Sequence, residues 1–557
     1  MKEIRRCAAA LLALAMLLLS GCGEKGTESE ETPLRACVCG TLRTLDPAKV
    51  NDAGMESILY LLFDNLLHYS LDEAGELTLT EGLAREYSVA DDVGGLTYTF
   101  TLRSTARWSD GKRVTAKHFV YAWRRLADPA TGSPNAELLS ALAGYDEARS
   151  TGDMTLLGVS AKNDSTLIVK LREPCDWFLS AVCAGAVTIP LREDLISGNS
   201  IGWAIGSNVV TCGPYHVQEW RSGTLLLARS RDYYEGRYAG PAQIVFVCPS
   251  EEGEAYRAYQ DGSVDYAASL TFAQMQSLRA QQAAELPEGE SAPYPYGTAL
   301  LAETDCVLYN GMSEFFSLPD VREAFDLAID RAALADAVGS APASGLVPEG
   351  ICRNREGMSY RAVGGALCAA DSEGYPDRCG AAVGLLAEQG YLSEEDMPLV
   401  TCLYVSDERS DVLVGMLCEM WHKALGAPVG AENVTQEEFD ARLAAGDYGM
   451  ALCSHAASRD EAMSFLAPWR AGDARNVVTY HNETYDILLG VSESSSEFSA
   501  RMAFLHDAES LLLGDTVLSP LCQRLGGYLL SDEYEGILQD AFGHSFFFAV
   551  QRTEAGG

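Results

Sequence analysis

The sequence predicts an α/β protein of two or three domains, and three observations support this. Segments that alternate apolar and polar residues, as strands do, are interleaved along the chain with segments of helical period. The chain has 557 residues, more than one hydrophobic core usually organises. Hydrophobic residues make up 47% of it and aromatic residues 9%, which is typical of a folded globular protein.

The clearest strand covers residues 96–103, where Leu, Tyr and Phe alternate with Thr. Residues 109–112 (SDGK) follow it with turn chemistry. Thr115 then caps a helix whose apolar residues recur with a period near that of an α-helix, and Pro129 ends it. A second alternating strand is expected at residues 166–172.

The middle of the chain adds further strands. Residues 224–228 are expected to form a strand, after a turn at residues 213–215 (GPY). Residues 243–248 form an apolar run between two prolines, which fits a central strand. Residues 320–323 (DVRE) predict a capping box that opens a helix running through residue 330.

Strands and helices then alternate regularly. Residues 399–405 predict a strand, and residues 410–425 predict a helix that ends at Gly426. A capping box at residues 435–438 opens another helix, and residues 448–453 form the next strand. A twisted sheet built in this way carries a ligand crevice at the carboxyl ends of its strands.

The N-terminus has the three parts of a bacterial lipoprotein signal. Three cationic side chains lie within the first six residues, residues 8–19 are apolar, and Cys22 follows small residues. An apolar run of this length is too short to span a membrane. We therefore expect cleavage before Cys22, which removes most of residues 1–22, and lipid attachment to its thiol. Residues 23–33 are rich in Glu, Ser, Gly and Thr, and predict a flexible tether.

The formal net charge is −38, and no basic stripe interrupts this acidity. Such a surface repels phosphate, so we expect no nucleic-acid partner. Cys37 and Cys39 are the one close cysteine pair, which is too few thiols for a zinc site, and we expect neither a metal nor a cofactor. An exported chain can form disulfides, but spacing does not give their pairing, and free buried thiols are equally compatible.

Motifs of the common enzyme classes do not emerge from the sequence. It contains no HExxH zinc motif and no GxxxxGK[ST] phosphate loop, and its eight histidines are scattered. We therefore expect a protein that is not an enzyme. A secreted lipoprotein hydrolase is the alternative, and it would turn its ligand over rather than hold it.

Segments spread along nearly the whole mature chain carry a family resemblance. They are residues 45–47 (LDP), 58–67 (ending in FDNLL), 96–103 (LTYTFTLR), 107–112 (RWSDGK), 114–120 (VTAKHFV), 121–129 (YAWRRLADP), 213–215 (GPY), 219–220 (EW), 321–331 (VREAFDLAIDR), 508–512 (AESLL) and 518–521 (LSPL). In this order they resemble the dipeptide and oligopeptide solute-binding proteins, extracellular solute-binding protein family 5. The alternating strand joined to the Trp-Ser-Asp-Gly turn is the most specific part.

The resemblance implies a two-lobed periplasmic-binding-protein-like fold with a hinge and an extra inserted domain. Residues 34–52, 186–296 and 517–557 would form a discontinuous lobe I, residues 53–185 the inserted domain, and residues 297–516 lobe II. Ligand would sit between the lobes and be trapped by hinge closure. In peptide-binding members the ligand lies extended and pairs with protein strands, while its side chains enter hydrated pockets.

The resemblance also implies the partners. The ligand would be a peptide or a similar small solute, and the receiving partner would be the permease and ATPase of an ABC importer. With lipid on Cys22, the protein would be anchored at the extracytoplasmic face of the cell membrane, at the cell surface or in the periplasm. We expect a monomer.

One segment departs from the family pattern. Many peptide binders carry an Asp before a Ser-Phe-Leu motif, and this Asp pairs with the α-ammonium of the peptide. Alignment on residues 464–466 (SFL) places Ser458 at that position, with Asp460 two residues later. His455 falls near a usual tryptophan position and is expected in a loop. Ser454, His455, Ser458 and Asp460 are the candidate ligand-binding residues.

This departure keeps other ligands open. Within the same class, the cargo could be a sugar, a nickel complex or another metal chelate. A surface receptor for signalling peptides is a further alternative, and an adjacent sensor kinase gene would favour it over import.

Overall fold

The computed structural model describes residues 32–553, with gaps at residues 39, 74, 76, 93–94, 200, 208, 222, 236–239, 250–252, 288–291, 354–357, 458 and 496. Contacts group Leu34–Gly557 into one unit and Met1–Pro33 into another. The predicted lipoprotein signal, Cys22 and nearly all of the predicted tether lie outside the described residues. None of the helices in the described part combines the length and apolar character that a membrane span requires.

The strands of the described residues are numbered in chain order. They are β1 (Leu34–Cys37), β2 (Leu67–Leu71), β3 (Leu77–Glu81), β4 (Ala84–Asp92), β5 (Gly95–Leu102), β6 (Val159–Asn163), β7 (Thr166–Lys170), β8 (Tyr215–Arg221), β9 (Thr224–Arg229), β10 (Gln243–Val247), β11 (Tyr266–Ala267), β12 (Gly297–Tyr309), β13 (Ala341–Pro342), β14 (Val400–Val405), β15 (Val429–Val434), β16 (Met450–Ala456), β17 (Leu518–Leu530), β18 (Tyr534–Glu535), β19 (Leu538–Gln539), β20 (Ser545–Phe546) and β21 (Gln551–Arg552).

The α-helices of the same residues are numbered likewise. They are α1 (Ala53–Leu62), α2 (Ala116–Ala127), α3 (Tyr145–Thr151), α4 (Glu193–Ile196), α5 (Glu254–Gln260), α6 (Phe272–Glu285), α7 (Pro319–Leu327), α8 (Arg331–Val338), α9 (Tyr360–Gly364), α10 (Tyr375–Glu388), α11 (Glu408–Leu425), α12 (Gln436–Ala445), α13 (Met463–Leu466), α14 (Glu483–Ser494) and α15 (Phe498–Gly514).

The predicted α/β class is confirmed by a large mixed sheet of eleven strands. Ten of them follow the order β15-β14-β16-β12-β17-β11-β1-β10-β9-β8, and β13 pairs with β17. β14 runs parallel to β15 and β16, and β1 runs parallel to β10 and β11. β12 runs antiparallel to both of its neighbours. A separate sheet, β4-β5-β7-β6, is antiparallel throughout.

Helices cover both faces of the half of the sheet that contains β12, β14 and β16. Val307 of β12 packs in a core that includes Trp421 of α11, whereas its neighbour Leu308 packs in a second core that includes Trp469. Successive strand residues point to opposite faces, so the two cores lie on opposite sides of the sheet. A third and larger core combines Trp123 of α2 with strands of the other half of the sheet, such as Phe246 of β10.

Two long strands connect the halves of the sheet. β12 pairs with β16 at one end, and β17 pairs with β11 at the other. Between them the register slips, because Leu300 pairs with Leu525 and Thr304 pairs with Gln523. Residues 301–303 of β12 therefore lie opposite one residue of β17. Within this bulge the N–H of Ala302 donates to the carbonyl of Ala541 at 2.8 Å, and its carbonyl accepts the N–H of Ala457 at 2.8 Å.

Each of the six strands predicted from local sequence patterns corresponds to a strand of the structure. The strand predicted at residues 96–103 is β5, and the apolar run at residues 243–248 is β10, which lies between β1 and β9 inside the sheet. The helix predicted after Thr115 is α2, and its indole Trp123 is fully buried. Gly426 ends α11 in the left-handed conformation, as predicted.

The helix predicted to open at a capping box at residues 320–323 begins earlier, so this prediction is wrong. α7 starts at Pro319, whose fixed φ suits the first helical position, and it ends at Leu327. A second helix, α8, follows it: the carboxylate of Asp330 accepts the N–H of Ala333 at 3.1 Å and caps α8. The predicted helix therefore ran past the end of α7 and stopped before α8, which was not predicted.

Glycine is required at position 213 because the backbone there lies against the end of α1. A Cβ atom at Gly213 would lie 2.6 Å from the backbone carbon of Leu62 and the backbone nitrogen of Phe63, at the end of α1. Its own N–H donates to the carbonyl of Leu62 at 2.9 Å. Only glycine lets this segment approach the helix end so closely.

Candidate functional site

A cavity of about 370 Å³ lies beside α1 and is the candidate binding site. Six parts of the chain line it: α1, β2, residues 134–138, residues 180–187, the turn after β16, and the segment between β19 and β20. The lining residues are Ala53, Glu56, Tyr60, Tyr69, Pro134, Asn135, Glu137, Leu138, Ser180, Ala181, Gly185, Ala186, Val187, Arg459, Asp460, Asp540, Phe542 and His544.

One wall of this cavity carries a buried cation between two carboxylates. His544 Nδ1 lies 2.7 Å from Asp540 Oδ2, and its Nε2 lies 3.1 Å from Glu56 Oε2. Burial alone would lower the pKa of His544, but Asp540 and Glu56 raise it to about 10. His544 is therefore an imidazolium at neutral pH, and it ties the C-terminal segment to α1.

Asp460 is the sequence-predicted residue that reaches the cavity. The N–H of Cys352 donates to its carboxylate, and Ser180 forms a second hydrogen bond with it. Burial raises the pKa of Asp460 above its ordinary value, an effect that the N–H of Cys352 opposes and the nearby Asp540 reinforces. A cation placed in the cavity would stabilise the ionised form of this carboxyl group.

The phenol of Tyr69 lies close to the carboxylates of Asp540, Asp460 and Glu56. Burial raises the pKa of its phenol well above the usual value, and Asp540, Asp460 and Glu56 all add to the shift. Its ring also stands 6.1 Å from that of Tyr60, edge to face. The cavity thus combines aromatic walls with excess negative charge, which suits an ammonium group.

Tyr60 and Tyr69 also line a smaller cavity of about 260 Å³ on their other side. There the carboxylate of Asp64 accepts hydrogen bonds from Tyr233 at 2.8 Å and Tyr234 at 2.5 Å. Burial disfavours ionised Asp64, yet His68 and these tyrosines lower its pKa below the ordinary value. The arrangement is self-contained, since hydrogen bonds from the protein already satisfy this carboxylate.

Ser454 and His455 lie on opposite faces of β16, and neither is among the residues that line the two cavities described above. The hydroxyl oxygen of Ser454 lies 2.8 Å from Glu303 Oε1 and 3.0 Å from Asp305 Oδ1, and its one proton is donated to either carboxylate. His455 lies in the strand rather than in the expected loop, because β16 extends to Ala456. Its ring centroid stands 4.9 Å from that of Trp469, and burial lowers the pKa of His455 to about 4.

The structure does not describe Ser458, so the position aligned with the family's Asp lies outside the described residues. The sequence reasoning also missed Glu56, Arg459, Asp540 and His544. A local signal existed for Arg459 alone, because it adjoins a candidate. Within the described ranges, no group of three or more His, Cys, Asp or Glu side chains has the arrangement of a metal site.

β16 has an open edge near the cavity. On one side it pairs with β12 along its whole length, from Met450 to Ala456. On the other side, β14 covers Met450 and Ala451 alone among the described residues. The remaining edge offers backbone groups to which an extended chain can add as a further strand.

The network beneath this edge is rigid. Asp305 of β12 is buried and accepts hydrogen bonds from Arg409 at 2.6 Å and from Arg524 at 3.0 Å. Burial disfavours its ionised form, but the two arginines lower the pKa of Asp305 below the ordinary value. This pairing fixes β12, β17 and α11 relative to one another.

A serine pattern elsewhere in the chain lacks the strand-to-helix setting of a nucleophile elbow. Residues 198–202 (GNSIG) match the spacing of a serine nucleophile elbow. They follow the short helix α4 and precede a single 3₁₀ turn, whereas an elbow joins a strand to a helix. Ser200 itself lies outside the described residues.

A large mixed sheet, a ligand-sized cavity and an open strand edge are the features that the binding of a solute requires. The family model of bacterial extracellular solute-binding proteins, family 5 Middle, matches residues 78–476, so the chain belongs to this family. It is a binding protein and not an enzyme.

Curated relatives of the same family cover most of the chain. The probable deoxycholate-binding periplasmic protein YgiS of Escherichia coli is 28% identical over 488 residues, covering 86% of this chain and 85% of the relative. The oligopeptide-binding protein OppA of Bacillus subtilis is 25% identical over 562 residues, covering 96% of this chain and 97% of that protein.

Solved structures agree on the fold. The unliganded open form of the murein tripeptide-binding protein MppA superposes with a TM-score of 0.79 at 24% identity, covering 94% of this chain and 98% of that one. Haemophilus influenzae OppA in complex with the peptide RPPGFSPFR gives 0.60 at 23% identity, covering 94% and 99%. These matches confirm the predicted two-lobed fold class.

Proposed function

We propose that this chain captures peptides outside the cytoplasm and delivers them to an ABC importer. The observation that carries the proposal is Asp460, a carboxylate with a raised pKa that faces a ligand-sized cavity in a family of solute-binding proteins. The names of several relatives, including OppA of Bacillus subtilis, state oligopeptide binding.

In the proposed complex, the peptide α-ammonium pairs with Asp460, with Tyr69 beside it. A charged amine in a buried site needs a carboxylate partner. The hydrogen bonds that Asp460 accepts come from the N–H of Cys352 and the hydroxyl of Ser180, and both of these donors are neutral. The peptide backbone adds to the open edge of β16, which gives affinity without sequence selectivity. Asp460 thereby takes the role that the family assigns to the position of Ser458.

Binding is proposed to proceed by closure of two lobes around the ligand. The chain superposes better on an unliganded open form than on a peptide complex, with TM-scores of 0.79 and 0.60. Lobe I would comprise residues 34–52, 186–296 and 517–557, the inserted domain residues 53–185, and lobe II residues 297–516. β12 and β17 would then form the connection about which the lobes close.

The proposed location is the extracytoplasmic face of the cell membrane. Cys22 would carry the lipid, and residues 23–33 would let the binding domains reach the permease.

A second candidate ligand class is a non-peptide solute. Two observations favour it: Ser458 replaces the family's ammonium-binding Asp, and YgiS is named as a probable deoxycholate-binding protein. A ligand of this kind would use the aromatic walls of the cavity and would not need Asp460.

The test compares a free-amine tripeptide with its N-acetylated twin by calorimetry, after a thermal-shift screen has identified a bound sequence. Asp460→Asn should weaken the free-amine peptide by at least about tenfold and leave the acetylated one nearly unchanged. Asp261→Asn, at an exposed carboxylate away from the cavity, is the matched control. Equal losses for both peptides would contradict amine recognition by Asp460.

A further inference from the structure

Asp460 sits at the apex of a tight turn whose two flanking residues contact the same tryptophan. The N–H of Glu461 donates to the carbonyl of Arg459 at 2.8 Å, which closes the turn around Asp460. The guanidinium carbon of Arg459 lies 4.3 Å from the ring centroid of Trp177. Trp177 also hydrogen-bonds the carboxylate of Glu461. One indole thus holds Arg459 by its face and Glu461 by its N–H.

The contacts continue along the segment that carries Trp177. Ser180 hydrogen-bonds the carboxylate of Asp460 itself. Phe178–Cys183 forms a π-helix, a rare conformation that widens the turn and is frequent at functional sites. We call Asp176, Trp177 and Ser180 the platform.

The platform is fixed from behind. Asp176 forms an ion pair with Arg501 of α15, and the two side chains are 13% and 9% exposed. Trp177 is itself only 5% exposed. An indole held in this way has little freedom, so it can impose an orientation on the turn that it contacts.

We infer that Trp177 is a positioning residue that aims Asp460 into the cavity, and that the platform thereby sets how well the protein selects a free amine. The inference rests on the proposed role of Asp460. It assigns a role in ligand binding to a segment of the proposed inserted domain. The residue that pairs with the ammonium, Asp460, lies in the proposed lobe II.

A purely structural role for Trp177 makes a different prediction. If the indole only filled space, its loss would lower stability and weaken every ligand alike. If it aims Asp460, its loss removes discrimination between amine and acetylated peptide while the remaining contacts of both ligands persist. The ratio of the two dissociation constants separates these cases, and the ratio is insensitive to the fraction of folded protein.

The experiment measures that ratio by calorimetry for the mature wild-type protein, Asp460→Asn, Trp177→Leu, Trp177→Phe and Arg459→Gln. The wild-type ratio should be at least about tenfold, and Trp177→Leu should lower it to within about threefold of one. Trp177→Phe keeps the ring face and should retain part of the discrimination. Arg459→Gln removes the same cation–π contact by changing the arginine instead of the indole. Because Arg459 is half-buried, this variant replaces the Trp177 variants if those fold poorly.

Trp203→Leu is the matched control, because Trp203 also lies under an arginine, Arg125, at 6.0 Å, and does not line the cavity. It should leave the ratio unchanged. A wild-type ratio near one would overturn amine recognition and the platform together. A high ratio that collapses in Asp460→Asn but survives in both Trp177→Leu and Arg459→Gln would overturn the platform alone.

Discussion

Among the described residues that line the cavity, His544 is the cation that the protein holds between two carboxylates. Replacing it with glutamine tests the electrostatics of that wall. Glutamine keeps hydrogen-bonding capacity but is neutral at every pH. In the wild-type protein, Asp540 and Glu56 raise the pKa of His544 from 6.5 to about 10. The variant loses this favourable pairing and leaves both carboxylates without their cation.

The size and sign of the effect follow from the pKa shift. Each pKa unit corresponds to about 1.4 kcal/mol, so the full shift corresponds to about 5 kcal/mol as an upper bound. Because the folded pKa lies above the unfolded one, this stability is complete below the unfolded pKa of 6.5. It declines by about 1.4 kcal/mol per pH unit as the pH rises, and it is gone once the pH passes the folded value.

The assay is urea unfolding of both proteins at pH 7, 8 and 9, with the difference in free energy of unfolding plotted against pH. The difference should fall by about 3 kcal/mol over these two units. His118→Gln is the control: burial and Arg192 lower the pKa of His118 to about 4, so it is neutral in both states above pH 7. Its difference from wild type should stay flat. A flat difference for His544→Gln would refute the reasoning.

Three further predictions concern the fold and the anchor. Gly213→Ala should destabilise the protein by about 1–3 kcal/mol, because the new Cβ meets the end of α1, whereas Gly198→Ala has open space and should be neutral; urea midpoints give both values. Asp305→Asn should cost about 3–5 kcal/mol, because it leaves the buried Arg409 without its carboxylate and removes one of the two carboxylates that pair with Arg524. Since the pKa of Asp305 is lowered, that cost should be constant above about pH 5 and shrink as the pH falls through the folded value. Cys22→Ser should release the protein from membranes and abolish incorporation of labelled fatty acid; unchanged membrane retention would count against the lipid anchor.

Elements whose pattern is local were predictable from the sequence. β5 and β10 were found because period-two alternation or a continuous apolar run is complete within one segment. The break between α7 and α8 was missed because the apolar pattern was followed through residue 330, although Asp330 is the residue that caps α8. Boundaries depend on such competition between neighbouring signals.

The cavity was harder to predict, because its charges come together from distant parts of the chain. Asp460 was found through an alignment motif close to it. Glu56 and His544 are 488 residues apart, and neither belongs to a motif. Their pairing is created by the return of the C-terminal segment to α1, which no pattern in either segment records. Trp177 was likewise invisible, since its significance depends on the turn that packs over it.

The bulge in β12 is hydrogen-bonded to both of the segments that carry Asp540 and Asp460 into the cavity wall. The backbone of Ala302 bonds Ala541, the neighbour of Asp540, and Ala457, which leads into the turn at Asp460. Both bonds leave the same residue, at the place where the two long strands are least tightly paired. Both carboxylate-bearing segments are therefore hydrogen-bonded to one and the same residue of the sheet. In the proposed closure about β12 and β17, a movement at this bulge would be passed to the segments of Asp460 and Asp540 together, through the backbone of Ala302.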